Sequence, residues 1–271
     1  MSFFNTITQL SKIFIKISFR LIGFEVSYYH KNPLHDFDEI YKNYSLDIKS
    51  LIIFDVGANT GQSIKRFLSF LNKPFIHSFE PLNDEFKILS SKYKNNYNVI
   101  LNNYALSNQS EDTKIFYSNH FSQTSSFKKP VSNHNNFSIK EKIKVKCVTI
   151  DNYVNTNDIK KINILKIDTQ GHEINVLEGA KETLEKQIID FIEVEIIKGN
   201  AYEKSNNSFS DLENKLIPYG YKFYAINTSG SLYKSYDMLA FDLIYIKNSL
   251  IDKMNKIRNQ NIKFSQKINN D

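Results

Sequence analysis

Apolar and polar positions follow two alternating patterns over most of the 271-residue chain. Short continuous apolar runs predict strands that are buried on both faces, and the segments between them have the spacing of amphipathic helices. The predicted strands are residues 51–54, 75–79, 99–106, 162–167 and 188–197, and the predicted helices are residues 62–71, 83–94, 173–186 and 209–217. Strands that alternate with helices indicate an α/β fold with a parallel sheet and right-handed crossovers.

The alternation changes in two parts of the chain. Residues 221–226 and 239–246 predict two strands with no helix between them, which indicates an antiparallel edge on the sheet. Residues 107–140 are polar with scattered His and Phe, and a loop of this length is typically functional or disordered. Residues 140–147 then alternate Lys with mostly apolar side chains, which predicts a half-buried strand with Cys147 on its buried side.

Residues 1–24 predict an amphipathic helix, because their apolar positions recur at spacings of three and four. Lys12, Lys16 and Arg20 lie on another face and exclude a membrane-spanning helix. Two interpretations stay open: the helix packs on its own domain or on a second copy in a homodimer, or it lies on a membrane surface. The predicted domains are a helical extension and linker at 1–48, a main domain at 49–248 and a tail at 249–271.

Charge and cysteine content narrow the range of partners. The chain has 35 Lys and Arg against 29 Asp and Glu, a net charge of +6, but only three of the basic residues are Arg. Because Arg supplies the bidentate contacts that recognise guanine and phosphate, we expect no nucleic-acid partner. Cys147 is the only cysteine, which excludes an intrachain disulfide. We therefore expect a cytoplasmic protein, at the inner face of the membrane if residues 1–24 bind lipid.

The clearest chemical motif is FDVGANTG at 54–61, which follows a buried strand and opens a helix. Gly57 and Gly61 permit a tight turn against which a ligand can lie, and we expect free N–H groups at the helix start to face that ligand. A dinucleotide-binding fingerprint would have another glycine where Asp55 stands. A carboxylate there favours a cationic ligand with an amino group; the alternative for Asp55 alone is a helix N-cap.

Glu80 ends the next predicted strand, 23 positions after Gly57. A carboxylate at this place can accept both hydroxyls of a ribose. Asp55 and Glu80 together predict an adenosine-type ligand that has a positive centre and no phosphates. Because S-adenosylmethionine has these properties, the sequence predicts it as the cofactor.

Five runs of the sequence carry a family resemblance: IIFDVGANTGQ, SFEPL at 78–82, ALSN at 105–108, LKIDTQGHE at 165–173 and VLEGA at 176–180. Together they resemble the FkbM-type family of S-adenosylmethionine-dependent methyltransferases. The resemblance implies a Rossmann-like class I methyltransferase sheet, mostly parallel with an antiparallel last strand. It also implies O-methylation, often of sugars or of polyketide-type natural products.

The resemblance assigns the cofactor-binding residues: Asp55, Gly57, Asn59 and Gly61 to the first turn, Glu80 to the ribose, and Ala105, Leu106 and Ser107 to the segment near the adenine. Asn108 stands where many members carry an acid, which weakens the expected contact with the adenine amino group. Asp168, Gly171 and Glu173 match the family's D-x-E-G-x-E motif, in which Gln170 replaces the first Glu.

The segment from Asp168 to Glu173 lies where a central strand ends and a helix begins, the edge at which open α/β sheets bind ligands. Methyl transfer to a hydroxyl needs the acceptor oxygen aligned with the methyl group and its proton removed. Asp168, His172 and Glu173 are the candidate catalytic residues, and the ordinary pKa of histidine suits a base best. His172 could instead be a solvent-exposed helix residue, and Glu173 a partner of the helix dipole. No spaced ligand cluster predicts a metal.

The predicted function is O-methylation of a hydroxyl on a small molecule, most simply a sugar, glycan or glycolipid precursor. Glu193 and Glu195, on an otherwise apolar strand, either face the acceptor pocket or lie beyond the strand end. An NAD-type oxidoreductase is an alternative, but Asp55 and the incomplete G-x-G-x-x-G pattern argue against it. A non-catalytic, membrane-associated partner subunit of a glycan-assembly system is a second alternative, which Gln170 leaves open.

Overall fold

The computed structural model describes residues 37–131, 138–197, 202–203, 207–227 and 240–257. All of them fall within one compact unit, residues 33–271. The helix predicted for residues 1–24 lies outside the described residues, as does the end of the predicted tail. Within the described ranges, no helix is long and apolar enough to cross a membrane.

The described residues include ten strands and seven α-helices that are numbered here in chain order. The helices are α1 (Phe37–Ser45), α2 (Gln62–Phe70), α3 (Asn83–Tyr93), α4 (Ile150–Thr156), α5 (Glu173–Glu178), α6 (Lys181–Glu185) and α7 (Phe209–Leu216). The strands are β1 (Ile52–Val56), β2 (Phe75–Phe79), β3 (Val99–Asn102), β4 (Ala105–Leu106), β5 (Glu111–Asn119), β6 (Ile139–Val148), β7 (Ile162–Ile167), β8 (Ile189–Ile197), β9 (Tyr221–Asn227) and β10 (Ala240–Lys247). Residues 251–257 are also helical.

Seven strands form the main sheet in the order β3-β2-β1-β7-β8-β10-β9. The strands from β3 to β8 are parallel, and β10 is antiparallel to both of its neighbours. The predicted fold class, a mostly parallel Rossmann-like sheet with an antiparallel last strand, is confirmed. The strand order reverses between β1 and β7, and open α/β sheets bind ligands beyond the carboxyl ends of the strands at such a point.

Helices cover both faces of this sheet because successive strand residues point to opposite sides. Ile53 and Phe191 pack in the cluster that contains residues of α1, α2 and α3. Phe54 and Ile192 pack in the cluster that contains residues of α4, α5, α6 and α7. Burying one such side chain completely contributes about 1.5–3 kcal/mol, so each strand is held from both sides.

The α1 helix packs on the sheet through one apolar face. Phe37, Ile40, Tyr41 and Tyr44 are all buried, at the spacing of three and four that one helix face requires. The Tyr41 hydroxyl donates to Glu193 Oε2 at 2.8 Å. This segment lies in the predicted linker, for which the sequence indicated at most one short helix.

A second sheet includes part of the segment that was predicted as a long polar loop. In this three-stranded sheet, β6 lies between β4 and β5. The loop prediction for residues 107–140 is therefore wrong over β5, where a single buried apolar side chain, Phe116, leaves too weak an alternation to detect. The predicted Lys-bearing strand is confirmed as β6, with Cys147 buried.

Two predicted elements are each divided in the structure. The predicted strand 99–106 forms β3 in the main sheet and β4 in the second sheet. The predicted helix 173–186 forms α5 and α6, which are separated at Gly179. A side chain at Gly179 would overlap with the main chain of Ser107, so this position fixes how closely α5 approaches the second sheet.

Candidate cofactor and acceptor site

A cavity of about 260 Å³ lies at the carboxyl ends of the parallel strands. Of the residues proposed from the sequence, Gly57, Asn59, Glu80, Ala105, Leu106 and Asp168 line this cavity. Asp55, Gly61, Ser107, His172 and Glu173 do not line it. The structure thus brings together six of the eleven proposed residues and places the others behind them or beside them.

The turn between β1 and α2 has the left-handed conformations that its glycines permit. Gly57 has a φ of 84° and Gly61 a φ of 93°, and Asn59 between them has a φ of 48°. A side chain at Gly57 would overlap with the carbonyl oxygen of Asp168 and lie 2.9 Å from its carbonyl carbon. The turn therefore lies directly against the main chain that follows β7, and only glycine fits there.

The main-chain N–H groups of this turn are used within the protein. Gly57 and Ala58 both donate to the carbonyl oxygen of Phe79 at 3.1 Å, and Gly61 donates to the carbonyl oxygen of Ala58 at 2.8 Å. The Asn59 N–H donates to Glu80 Oε2 at 2.8 Å. The expectation that free N–H groups of the turn face the ligand is wrong at these positions, because the turn folds over the end of β2 and bonds to it.

The Asp55 carboxylate is fully buried one residue before the end of β1. Neither of its oxygens makes a hydrogen bond of normal geometry with a described residue, although the Ser63 hydroxyl is close enough to lower the pKa of Asp55. Burial raises the pKa of Asp55 to about 6, although Lys166, its neighbour in register on β7, acts in the opposite direction. Asp55 is not the N-cap of α2, a position that Gly61 occupies. A buried carboxylate with unused acceptor sites favours a nearby cation.

Glu80 joins the glycine turn to the end of β2. Its Oε2 accepts the Asn59 N–H and its Oε1 accepts the Leu82 N–H, both at 2.8 Å. Burial raises the pKa of Glu80 to about 8, and the bonds from Leu82 and Asn59 act in the opposite direction. The two bonds fix the carboxylate at the cavity wall, where it could accept ribose hydroxyls with its remaining lone pairs.

Only part of the proposed adenine segment reaches the cavity. Ala105 and Leu106 line it, whereas the buried Ser107 side chain is turned towards His172. The Ser107 hydroxyl lies 3.0 Å from His172 Nε2 and accepts a hydrogen bond from Lys114 at 3.1 Å.

His172 is a buried residue behind the cavity wall. Its ring lies 4.6 Å from the ring of Phe127, and its Nδ1 has no hydrogen-bond partner among the described residues. Burial, together with the charges of Lys114 and Lys128, lowers the pKa of His172 to about 3. The alternative that His172 is solvent-exposed is wrong, and its position does not favour the role of a base that contacts an acceptor.

A His172→Gln variant should make the protein less sensitive to acid. The folded state keeps His172 neutral, so its contribution is present above pH 6.5 and is lost as the pH falls towards the folded-state pKa of about 3. Between pH 7.5 and 5 this one group should lower the free energy of unfolding by about 2 kcal/mol. Urea unfolding at the two pH values should show a smaller difference in the variant. The exposed His120→Gln is the control; equal differences in all three proteins would contradict the prediction.

Asp168 lies at the cavity wall directly after β7. Its N–H donates to the carbonyl oxygen of Val56 at 3.0 Å, which aligns it with the end of β1. Lys166 Nζ donates to Asp168 Oδ2 and the Gln170 amide to Oδ1, each at 3.0 Å. Burial raises the pKa of Asp168, but the Lys166 charge and these hydrogen bonds outweigh it and hold the pKa below its ordinary value. Asp168 is thus ionised at neutral pH.

Glu173 holds the turn that follows Asp168. Its Oε1 accepts the N–H groups of Thr169 and Gly171 at 2.8 and 3.1 Å, and its Oε2 accepts the Asn207 amide at 2.6 Å. Both oxygens are therefore used inside the protein, and the side chain has no exposed surface. The geometry gives Glu173 a positioning role, since Gln170 (φ 57°) and Gly171 (φ 91°) hold left-handed conformations in this turn.

Other residues in or beneath the cavity wall were left open by the sequence, as Glu195 was, or were not assigned from it. Glu195 lines the cavity within β8, which runs to Ile197, so the alternative of a loop position is wrong. Phe116 and Phe127 line it from the second sheet and the segment that follows. Lys166 is buried and donates a hydrogen bond to Asp168, but it lies in the mostly apolar strand β7, whose sequence gives no sign of a role at the site. Within the part of the chain that the structure describes, no group of three His, Cys, Asp or Glu could hold a metal.

The model of the methyltransferase FkbM domain matches residues 55–223, which include the glycine turn, Glu80 and the turn after Asp168. The chain belongs to this family. FkbM methyltransferases use S-adenosylmethionine, so membership of the family identifies the cofactor. It argues against the alternative of an NAD-type oxidoreductase. Asp55 and Glu80 fit this cofactor, because one offers unpaired buried acceptors to a cation and the other a carboxylate at the cavity wall.

Similar proteins include the hexuronic acid methyltransferase AglP of Haloferax volcanii, which is 28% identical over 151 residues. That alignment covers 55% of this chain and 56% of AglP, so the chain spans about half the length of this relative.

Two solved structures are similar to this chain at low sequence identity. An rRNA methylase from Streptococcus thermophilus has a TM-score of 0.46 and 12% identity, over 80% of this chain and 98% of the other. The fibrillarin of Aeropyrum pernix with natively bound S-adenosyl-L-methionine has a TM-score of 0.41 and 8% identity, over 72% and 66% of the two chains. Neither similarity identifies a function.

Proposed function

We propose that the protein transfers the methyl group of S-adenosylmethionine to a hydroxyl of a sugar, in a glycan or glycolipid precursor. The observation that carries this proposal is the common cavity that Gly57, Glu80 and Asp168 line. Gly57 and Glu80 would hold the cofactor, which supplies the methyl group from its sulfonium. Asp168 would hold the acceptor, and since displacement at a methyl carbon needs the two reactants in line, alignment accounts for much of the acceleration.

The charge of the cavity supports a neutral acceptor. Its described lining residues include the carboxyl groups of Glu80, Asp168 and Glu195 and no Lys, Arg or His. A carboxylate on the acceptor would be repelled by the ionised Asp168, whereas a hydroxyl would donate a hydrogen bond to it. The rings of Phe116 and Phe127 add an apolar wall that suits the C–H face of a sugar ring. Similarity to a hexuronic acid methyltransferase also supports a sugar substrate.

At pH 9, above the Glu80 pKa of about 8, Glu80→Gln should weaken S-adenosylmethionine binding at least tenfold in titration calorimetry. Hydrogen bonds to a charged group contribute about 1.5–3 kcal/mol each, and about 1.4 kcal/mol is a factor of ten. The amide keeps the size of the side chain but loses the negative charge and one acceptor. Asp84→Asn, in an exposed pair with Lys87 on the next helix, is the matched control and should bind as the parent does. Unchanged affinity in a folded Glu80→Gln variant would contradict the assignment.

The acceptor is tested by incubating the protein with methyl-labelled S-adenosylmethionine and glycosides of neutral hexoses and hexuronic acids. Transfer to a hydroxyl forms an ether, which survives mild alkali, whereas transfer to a carboxylate forms an ester, which does not. Alkali-stable label on a sugar is the expected result. Alkali-labile label would contradict the hydroxyl assignment and leave the methyltransferase assignment intact, and no label on any glycoside would contradict a sugar acceptor.

The cellular setting stays a proposal. We expect a cytoplasmic enzyme whose residues 1–24 contact the membrane or a second copy of the chain, although those residues lie outside the described ranges. A lipid-linked sugar would then be presented at the surface on which residues 1–24 lie.

A further inference from the structure

We propose that Asp168 and Glu195 form one proton-sharing pair, bridged by Gln170, and that this pair receives the proton of the acceptor hydroxyl. The inference rests on the proposed transfer to a hydroxyl. It assigns a role to Glu195 and explains why an amide, Gln170, stands between the two carboxyl groups.

The Gln170 amide joins the two carboxyl groups directly. Its Nε2 donates to Asp168 Oδ1 at 3.0 Å and to Glu195 Oε2 at 2.6 Å. The Tyr202 hydroxyl lies 2.7 Å from the carbonyl oxygen of Thr124 and 3.1 Å from Gln170 Oε1, and its one proton can be donated to either oxygen. The amide nitrogen of Gln170 faces the two carboxyl groups. A glutamate at 170 would offer no donor and would add a third negative charge. The amide therefore keeps Asp168 and Glu195 close together at the cavity wall.

The surroundings of the pair are asymmetric. Asp168 accepts a hydrogen bond from the Lys166 ammonium, which stabilises its ionised form. Burial raises the pKa of Glu195 well above its ordinary value, and the charges of Asp168, Glu173 and Asp242 raise it further, with Lys166 acting in the opposite direction. When the environments of two adjacent carboxyl groups differ in this way, one ionises and the other keeps its proton. At neutral pH the pair thus carries one proton and one negative charge.

The charge balance of the sheet gives the same result. Asp55, Lys166 and Glu193 are neighbours in register on β1, β7 and β8, and Asp242 faces Glu195 in register on β10. The buried or half-buried carboxyl groups of this region are Asp55, Asp168, Glu173, Glu193, Glu195 and Asp242, and the cations among them are Lys166 and Arg66. Because the carboxyl groups outnumber the cations, full ionisation would leave buried negative charge uncompensated, which favours bound protons.

The pair accounts for the proton that the acceptor hydroxyl loses during methyl transfer. The acceptor oxygen forms a bond with the methyl carbon while the carbon–sulfur bond breaks, and its electron pair stays on sulfur as a neutral thioether. The hydroxyl proton passes to the pair, whose charge changes from −1 to 0. The proton then leaves to water, which restores the pair for the next turnover. Asp168 is ionised and can take one proton, and Glu195 beside it is protonated. The pair therefore does not hold two negative charges before the transfer.

Infrared spectroscopy tests the shared proton without an acceptor. The parent at pH 7 should show the carbonyl band of protonated carboxyl groups, and Glu195→Gln should lose one component of that band. Glu195→Asp, which keeps a carboxyl group, should retain it. The exposed Glu185→Gln is the control and should leave the spectrum unchanged. Urea unfolding of the same samples should show that the Glu195 variants are folded.

Two results would overturn the pair. In the first, neither Glu195→Gln nor Asp242→Asn changes the band, so that neither residue carries the proton. In the second, Asp242→Asn removes a component that Glu195→Gln leaves unchanged, which would place the proton on Asp242. These results differ from failure of the proposed function, in which the parent would not bind S-adenosylmethionine or would label no hydroxyl. With a hydroxyl acceptor from the labelling assay, Glu195→Gln should also lower turnover by about 10²-fold or more.

Discussion

Gly57→Ala should lose about 100-fold or more of the affinity for S-adenosylmethionine, which corresponds to about 2.7 kcal/mol. The added methyl group would overlap with the carbonyl oxygen of Asp168, and the residue would have to keep a φ of 84°. The atoms nearest to the added methyl group belong to the main chain of Asp168, so no flexible side chain can move away to relieve the overlap. The variant must therefore separate the first turn from the end of β7, and these two segments line the cofactor cavity together.

Titration calorimetry measures this loss, and urea unfolding should show that the variant also loses about 1–3 kcal/mol of stability from backbone strain. Gly220→Ala is the matched control. Gly220 has a similar φ of 78°, but its nearest neighbour is the end of the Gln187 side chain, which can move, and it does not line the cavity. The control should lose stability and keep its affinity for the cofactor. Normal affinity in a folded Gly57→Ala protein would contradict the close approach of turn and strand.

Lys166→Met should lower the free energy of unfolding by about 3–5 kcal/mol at pH 8, because it leaves buried carboxylates without their cation. Lys166 has a relative exposure of 7%, donates to Asp168 and lies in register between Asp55 and Glu193. The methionine side chain has a similar length, so the change removes the charge and leaves little empty volume.

The loss should be smaller at pH 5.5 than at pH 8. Burial raises the pKa of Asp55 to about 6 and that of Asp242 to about 7, so both bind protons in the folded protein as the pH falls. Groups with a raised folded-state pKa stabilise the folded state at low pH and lose that contribution as the pH rises. Urea unfolding at both pH values tests this. Lys87→Met, at an exposed pair with Asp84, should stay within about 0.5 kcal/mol of the parent. An equal loss at both pH values would contradict the charge explanation.

The local pattern of apolar and polar residues is sufficient to predict the sheet and the segments that meet at its edge. Buried parallel strands read as continuous apolar runs, and a polar residue directly after such a run marks the carboxyl end of a strand. For that reason the turn at Gly57, Glu80 after β2 and Asp168 after β7 were all predicted at one edge of one sheet, and the structure places them around one cavity. These are local signals, since each depends on the residues within one strand and the turn that follows it.

The role of each polar side chain depends on contacts that form only in the folded protein. His172 and Glu173 are adjacent to Asp168 in sequence, yet His172 is buried beside Ser107 and Glu173 bonds to the turn, because helix geometry directs neighbouring side chains to different sides. Lys166 and Glu195 look like costly charges in apolar strands. Their partners come from β1, β8, β10 and the turn after β7, at contacts that no single segment of sequence contains, so only the assembled sheet shows that they form one charged network beneath the cavity.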